Sequence, residues 1–391
     1  MVIPKLAVRN MLGAGLKTWL NAAVLSMAYV AIIWTQGLYI GFDAEVSRAM
    51  IDAAYGGGQY WVEGYDPYDL FTVQDAHAAL PGPMRESIQA GRAEPVLIVP
   101  GTIYPNGRIQ SVLLKGIDPG QTLLSLPAAV LKPASREVPG LIGSRMARAT
   151  GLNKGDVVTV RWRDAGGTFD AGEIAIVDVM TTNVQAIDSG QVWLPIEILR
   201  EMAAMGGQAT IVVTAKGFGP AEEISGWSFK DLDFLLKDVR DVVQGKTIGA
   251  SILYTILLFL AMLAIFNTQL LSIWRRRREI GTMMALGFSR GRVIALFTLE
   301  GALNGVFAAL VGALYGIPLL AYSAAHGLSL GGNMGDDYGF AMSEKLYPTY
   351  SATLVLGTTV LVFVVTTIVS FLPARKIAKL KPTDALRGKL T

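Results

Sequence analysis

Four long stretches without a charged residue constrain the fold of this chain more than any other feature. They are residues 18–42, 247–274, 301–335 and 346–374. Each is longer than the roughly 20 residues that an α-helix needs to cross the hydrocarbon core of a bilayer. With 52% hydrophobic and only 17% charged residues, the composition also lies outside the range of soluble proteins. The chain is therefore predicted to be an α-helical membrane protein with four transmembrane helices.

The basic residues beside these stretches predict how the helices are oriented. Lys and Arg near the ends of a transmembrane helix stay mainly on the cytoplasmic side. Here they are concentrated in residues 1–18, 275–292 and 375–391, whereas the connection 326–345 carries more acidic than basic residues. We therefore predict that both termini and the segment 275–292 are cytoplasmic. The first apolar run, at about 25 residues, exceeds the roughly 7–15 of a cleavable signal peptide, so we expect this helix to be retained.

Between the first two stretches the sequence changes to the pattern of a large α+β domain, predicted to be extracytoplasmic. Short runs rich in β-branched residues alternate with Gly and Pro. The predicted strands are 95–104, 111–117, 157–162, 173–180 and 209–215. Apolar residues spaced three and four apart from Phe229 to Val243 predict a stalk helix that continues into the membrane. Residues 44–54 are expected to extend the first transmembrane helix as a second stalk.

An aromatic segment, with Tyr60, Trp61, Tyr65, Tyr68 and Phe71, lies early in this domain. Clustered aromatic residues form either an exposed recognition patch or part of a hydrophobic core. We expect the core, because that is the commoner case.

Glu300 lies about 12 Å along a helix from Arg292, at 1.5 Å per residue, and so near the start of the third stretch. A carboxylate at that depth costs about 1–3 kcal/mol unless it is paired or protonated. It is interpreted either as a coupling or proton-relay acid, or as an acid hydrogen-bonded within the helix bundle. We favour the second interpretation.

Two pairs of glycines in the same stretch have the spacing G-x-x-x-G. They are Gly301 with Gly305 and Gly312 with Gly316. Such pairs let another helix approach closely. That helix belongs either to a second subunit or to the same bundle, and the spacing leaves both open.

Several kinds of chemistry are excluded. The chain has no cysteine and only two histidines, so disulfides, thiolate or histidine-rich metal sites and cysteine nucleophiles are not expected. A G-x-S-x-G match at 287–291 lacks the preceding strand and the nearby histidine of a nucleophile elbow. No phosphate-binding P-loop motif occurs, so ATP and Mg²⁺ are expected only in a partner chain. The net charge of +3 is too small to suggest nucleic acid. We expect no enzyme active site, cofactor or metal here.

The segment 275–292 carries the most specific signal. Its arginines are explained by retention on the cytoplasmic side. That does not explain the apolar residues Ile280, Met283, Met284, Leu286 and Phe288, which need burial against something. A short helix ending at Gly287 is predicted, and its apolar side chains are typical of helices that dock into a groove on a partner.

Several motifs of the sequence resemble those of the FtsX-like permeases of ABC transporters. Arg-Arg-Glu-Ile-Gly and Met-Ala-Leu-Gly within 277–287, followed by Glu300, resemble the signature of that family. Its closing motif is similar to residues 372–376 with 381–387. Its N-terminal amphipathic helix is similar to residues 6–12. Its extracytoplasmic core domain resembles residues 141–144 through Asp156.

With this resemblance, eight segments are predicted. They are an N-terminal amphipathic segment with transmembrane helix 1 (1–43), an extracytoplasmic α+β domain with stalk helices (44–246), transmembrane helix 2 (247–274), a cytoplasmic coupling helix (275–292), transmembrane helix 3 (293–325), an extracytoplasmic loop (326–345), transmembrane helix 4 (346–374) and a cytoplasmic tail (375–391).

The resemblance implies that the coupling helix docks on a separate or fused cytoplasmic ABC ATPase dimer, while a second permease subunit, identical or related, pairs with this one in the bilayer. The implied docking residues are Arg278, Glu279, Ile280, Gly281, Met283, Met284, Ala285, Leu286, Gly287, Phe288 and Ser289. The implied mechanism is mechanotransmission, in which ATP-driven closure of the ATPase moves the stalks.

Within the family the chain is most similar to the LolC and LolE lipoprotein-releasing permeases of the inner membrane. This implies extraction of lipoproteins or lipids from the outer leaflet and transfer to a periplasmic lipoprotein chaperone. The chaperone-binding hook expected of that group has a compatible position at 181–190, but no proline is present there. The alternatives are a MacB-like efflux-pump actuator and, in another class, a membrane sensor or scaffold with a ligand-binding outer domain.

Overall fold

The computed structural model describes residues 6–7, 9, 15–133, 137–182, 185–218, 224–329 and 345–379. Most of the amphipathic segment 6–12, the part of the closing motif at 381–387 and most of the loop 326–345 lie outside the described residues. The chain divides into two compact units. A helical unit comprises residues 1–42, 242–328 and 346–391, and an α+β unit comprises residues 43–241 and 329–345.

The helices are numbered in chain order. They are α1 (Leu16–Met50), α2 (Leu70–Asp75), α3 (Gly82–Gln89), α4 (Ser144–Thr150), α5 (Gln185–Asp188), α6 (Ile196–Met202), α7 (Leu232–Leu235), α8 (Lys237–Arg275), α9 (Arg277–Ala285), α10 (Arg290–His326) and α11 (Ala352–Ala374). A π-helical turn, Ile51–Tyr55, continues α1.

The strands are numbered in the same way. They are β1 (Gln59–Val62), β2 (Ala78–Ala79), β3 (Ala93–Ile103), β4 (Gln110–Ile117), β5 (Val138–Gly143), β6 (Val157–Arg163), β7 (Phe169–Met180), β8 (Gln191–Pro195), β9 (Gln208–Ala209), β10 (Ile211–Thr214), β11 (Trp227–Lys230), β12 (Leu328–Ser329) and β13 (Lys345–Leu346).

Among the described residues, four helices are long and apolar enough to cross a membrane. They are α1 with its π-helical turn, α8, α10 and α11 with the turn that follows it. Large apolar side chains cover their outer surfaces, for example Leu314, which is 82% exposed. Such a surface suits a lipid environment, since water would disfavour so large an apolar area. The prediction of four membrane-spanning helices is confirmed in their length and composition.

The two glycine pairs of α10 pack against helices of the same unit. A methyl group on Gly301 would collide with Ser370 of α11, and one on Gly305 would lie 2.7 Å from the Thr366 Oγ1. The second pair faces α1, where a methyl group on Gly316 would lie 2.8 Å from a Val30 methyl. Both pairs therefore serve close packing inside the bundle.

Replacing Gly305 by Leu is expected to destabilise the helical unit. The new side chain has no room beside Thr366, and overpacking of this kind costs about 1–3 kcal/mol or more. Thermal unfolding of the purified protein in detergent measures the effect. The matched control is Gly357→Leu on α11, where nothing lies within 4 Å of the added carbon atom. Equal midpoints for the two variants would contradict the packing role.

The α+β unit is built on a sheet whose described strands run in the order β11-β1-β10-β3-β4-β8-β5-β7-β6. Strand β3 pairs with β4 from Leu97 to Ile103 and also with β6 near its end. Strands β3, β4, β8, β5, β7 and β6 therefore close into a ring. Alternation along β3 separates two cores: Leu97, Val99 and Ile103 pack inside the ring, whereas Val96 and Ile98 pack on its outer side.

The stalk pattern before α8 is interrupted. Phe229 belongs to β11, where it pairs with Tyr60, and is not helical. The Asp231 side chain then accepts a hydrogen bond from the Phe234 N–H and so caps α7. Apolar spacing alone did not reveal this cap, and the continuous helix α8 begins only at Lys237.

The two ends of the aromatic segment differ in burial. Tyr60 is buried, and the Trp61 ring packs edge-on against Tyr65 at 5.1 Å. Tyr68 and Phe71 are 80% and 87% exposed, respectively. The expectation of a core is therefore right for the start of the segment and wrong for its end.

The segment 181–190 packs onto the α+β unit where it is described. Residues 183 and 184 lie outside the described residues. Ile187 and Asp188 are both 2% exposed, and Asp188 accepts hydrogen bonds from the Ser144 hydroxyl and the Arg145 N–H. Ile187 and Asp188 are thus held in the core, whereas Thr181 and Ser189 of the same segment are exposed.

Candidate functional site

The segment between α8 and α10 contains a short helix where the sequence predicted one. Helix α9 runs from Arg277 to Ala285, and the chain leaves it through Leu286 and Gly287. Gly287 has φ +93°, a left-handed conformation that glycine adopts without strain. The Gly287 and Phe288 N–H groups bond back to the carbonyls of Met284 and Met283. These bonds end the helix close to the predicted position.

One face of α9 is buried within the chain. Ile280 is fully buried in a cluster that we call the α9 anchor cluster: Ile273, Ile280, Val293, Phe297, Ala374 and Ile377. Met283, Met284 and Phe288 are partly buried against the same cluster. Gly281 is also buried. Ile280 and Gly281, which the resemblance placed among the docking residues, are therefore buried within this chain.

The opposite face of α9 is exposed. It comprises Arg278, Thr282, Ala285 and Leu286, which lie on one side of the helix because they are spaced three to four residues apart or adjacent at its end. We call this set the outer face of α9. Leu286 is 77% exposed, which is unusual for a leucine at the end of an amphipathic helix. Glu279, Gly287 and Ser289 are exposed beside it.

An arginine that the sequence analysis did not single out fixes the start of α9. The Arg276 Nε donates to Glu279 Oε2 at 2.7 Å, and its Nη1 donates to both carboxylate oxygens of Glu300, at 3.1 and 2.9 Å. The guanidinium also lies 4.9 Å from the centre of the Phe297 ring. Burial lowers the pKa of Arg276, but the bonds to Glu279 and Glu300 outweigh burial and raise it. The preferred interpretation of Glu300, an acid hydrogen-bonded within the bundle, agrees with this geometry.

Ser289 begins α10 and has a structural role. Its Oγ accepts a hydrogen bond from the Arg292 N–H at 3.4 Å, as an N-cap residue does. A helix precedes the G-x-S-x-G match where a nucleophile elbow needs a strand. His326 lies at the far end of the same helix, roughly 50 Å away at 1.5 Å per residue. The hydrolase interpretation is therefore excluded for this serine.

Replacing Ser289 by Ala is expected to lower the stability of the helical unit by about 1 kcal/mol, because the first turn of α10 loses its cap. Ser289→Asp is the control, since an aspartate also caps a helix and suits its positive N-terminal end. Thermal unfolding in detergent distinguishes the two. If Ser289→Ala and Ser289→Asp lower the thermal unfolding midpoint equally, the capping role is contradicted.

The residues of α9 and the helices around it are similar to those of known proteins. Residues 251–382 match the family model of the FtsX-like permease C-terminal domain. An uncharacterized ABC transporter permease of Methanocaldococcus jannaschii is 32% identical over 169 residues, covering 41% of this chain and 40% of the relative. A probable export ATP-binding/permease protein MacB of Pseudomonas entomophila is 31% identical over 160 residues, covering 40% of this chain and 21% of the relative.

A third relative aligns along nearly the whole chain. The lipoprotein-releasing system transmembrane protein LolC of Neisseria meningitidis is 21% identical over 402 residues, covering 95% of this chain and 94% of the relative. The alignments with the first two relatives, in contrast, span less than half of their lengths. Helix α9, its anchor cluster and Glu300 all lie within the matched residues 251–382. The chain contains an FtsX-like permease domain at these residues, and its homologues are permeases of ABC transporters.

Proposed function

We propose that this chain is the permease subunit of an ABC transporter and works by mechanotransmission. ATP is hydrolysed by a partner ATPase dimer in the cytoplasm, and the work is done by the α+β unit on the other side of the inner membrane. The observation that carries the proposal is the outer face of α9, an exposed apolar and basic helix surface within a permease domain. A helix held on one face and free on the other suits docking to a partner groove.

Helix α9 is joined to the membrane helices by very little chain. Only Arg276 separates it from α8, and residues 286–289 separate it from α10. The anchor cluster adds contacts from Val293 and Phe297 of α10 and from Ala374 at the end of α11. A displacement of α9 by a partner would therefore move these helices with it, since packed cores transmit strain. Helix α8 begins at Lys237, within the α+β unit, so the same helix connects both units along the chain.

The preferred cargo is a lipoprotein or lipid of the outer leaflet. Support comes from the extent of the LolC alignment, which includes the α+β unit as well as the permease domain. A MacB-like efflux-pump actuator is the second candidate, supported by higher identity over a shorter region. Pairing with a second permease subunit, and with a periplasmic chaperone, belongs to the same proposal.

The experiment is a reconstitution of the intact protein in liposomes with the ATPase that copurifies with it. A fluorescent triacylated lipopeptide in the bilayer is the first probe, and an entrapped amphiphilic dye is the second. ATP-dependent release of the lipopeptide supports lipoprotein or lipid extraction. Release of the dye alone favours the efflux candidate. If no P-loop ATPase copurifies and ATP changes neither signal, the transporter proposal is wrong.

A further inference from the structure

The α+β unit contains a cavity that the proposed transport mechanism does not use. Its volume is about 470 Å³, within the range of small-molecule sites. Most of its wall is apolar, with Leu80, Ile88, Pro95, Pro119, Pro195 and Ile196 among the lining residues. Helices α3 and α6, the start of β3, the end of β8 and the chain after β4 supply much of this wall. A drug-sized apolar group therefore fits the cavity.

One buried carboxylate in the wall has an unused acceptor. Glu94 on β3 is 5% exposed, and its Oε1 accepts a hydrogen bond from the Asp118 N–H at 3.0 Å. Within the described part of the chain, Oε2 has no hydrogen-bond donor. A largely buried carboxylate with one oxygen lacking a donor is costly, so Oε2 is suited to meet a donor from a ligand.

The neighbouring arginines do not offer an equivalent anion site. The Arg200 Nη1 donates to Glu197 at 2.6 Å and its Nε donates to the Gln208 carbonyl at 2.9 Å. Its remaining Nη2 is buried and has no hydrogen-bond partner among the described residues. The Arg85 Nε donates to the Leu80 carbonyl at 2.7 Å, and that residue lies exposed at the rim. The Glu94 carboxylate is thus the largely buried acid of the wall, and its Oε2 has an unused acceptor.

The charges around the cavity also favour a cation. Arg200 pairs with Glu197, and Arg85 and Asp118, which also line the cavity, carry opposite charges that cancel in sum. An ionised Glu94 then leaves one uncompensated negative charge. Burial is the main reason that the pKa of Glu94 is raised to about 7, with Asp118 raising it further while the Asp118 N–H and Arg200 lower it.

We propose that this cavity binds an organic cation, with the ammonium group on Glu94 Oε2, near Asp118, and an apolar body against the proline- and isoleucine-lined wall. The site lies within the α+β unit and does not depend on docking of an ATPase. Binding supplies the positive charge that an ionised Glu94 lacks. The affinity for a cation is therefore expected to rise with pH as this carboxyl group ionises.

The test compares three probes with one apolar body, observed by ¹⁹F NMR with the full chain in lipid nanodiscs. They are 4-(trifluoromethyl)benzylammonium, 4-(trifluoromethyl)benzyl alcohol and 4-(trifluoromethyl)phenylacetate, and empty nanodiscs supply the blank. The ammonium probe is expected to bind about tenfold more tightly than the alcohol, as for one charge-assisted hydrogen bond. Its affinity should increase between pH 5.5 and 8.5, on the order of tenfold, whereas that of the alcohol stays constant.

Glu94→Gln is expected to reduce the affinity of the ammonium probe to that of the alcohol and to remove the pH dependence. Glu86→Gln, an exposed acid on the neighbouring helix α3, is the control and should change nothing. If Glu94→Gln does not fold, Asp118→Asn keeps the N–H that bonds Glu94 and should weaken only the ammonium probe, about threefold. Equal binding of the three probes, preference for the carboxylate probe, or unchanged ammonium binding in Glu94→Gln would each overturn the proposal.

Discussion

Replacing Leu286 by Asp is expected to abolish coupling to a partner ATPase while leaving the protein folded. The side chain is 77% exposed at the end of α9, so the substitution costs little folding energy. In a docked groove, however, the new carboxylate is desolvated without a partner, which costs several kcal/mol. We therefore expect copurification of the ATPase to fall at least tenfold and ATP-dependent release to be lost. Quantitative pull-down and the liposome assay measure the two effects.

The control for this variant is Ile109→Asp in the α+β unit, where the isoleucine is 73% exposed. It introduces the same charge at a comparably exposed apolar residue and should leave both measurements unchanged. Ile280→Ala provides the opposite comparison, since Ile280 is fully buried in the α9 anchor cluster. It should lower the thermal midpoint, whereas Leu286→Asp should not. Unchanged copurification in Leu286→Asp would show that the outer face of α9 is not the docking surface.

Leu286 and Ile280 also show how much of the site can be predicted from the sequence. Both are apolar members of one short helix, and the pattern predicted that helix and its end correctly. Which of them is buried depends on Phe297 and Ile377, which lie on other elements and reach α9 only in the folded chain. Local periodicity has no information about those contacts. The sequence therefore predicted the short helix but not the burial of Ile280 and Gly281 within this chain, and docking through this segment stays a prediction.

The length of the uncharged runs and the alternation of apolar residues, in contrast, were sufficient to predict the architecture. A charge-free run of more than 20 residues has few solutions other than a membrane helix. The β-branched runs of the α+β unit likewise became strands because alternating side chains pack on both sides of the ring. The cavity beside Glu94 was not predictable, since β3, α6 and the chain after β4 form it from distant parts of the sequence.

Arg276 illustrates the same limit among charged residues. It is one of four consecutive arginines, and in sequence it is equivalent to its neighbours. Only the fold distinguishes it, because its guanidinium alone among the four joins Glu279 to Glu300 in the described structure. The position of Glu300 one helix later was the single available clue that an arginine would be needed.

Replacing Arg276 by Ala is expected to open the start of α9. Glu300, whose side chain is 8% exposed, would lose the guanidinium that bonds both of its oxygens. Breaking a buried ion pair costs up to about 3–5 kcal/mol, because the remaining charge loses the guanidinium that bonds it. Hydrogen exchange at residues 276–288, followed by mass spectrometry in detergent, should therefore increase strongly. The control is Arg275→Ala, at the exposed arginine that precedes Arg276, and it should leave hydrogen exchange unchanged.

The double variant Arg276→Ala with Glu300→Gln separates this structural role from proton relay. Removing the charge of Glu300 should restore much of the protection of α9, since a neutral amide costs less to bury than a carboxylate. If Glu300 instead relays protons, Glu300→Gln alone would abolish ATP-dependent release without changing exchange. If Arg276→Ala matches Arg275→Ala, or if Glu300→Gln gives no rescue, the ion pair does not hold α9. Rescue in the double variant would assign Glu300 to positioning α9, the proposed docking helix.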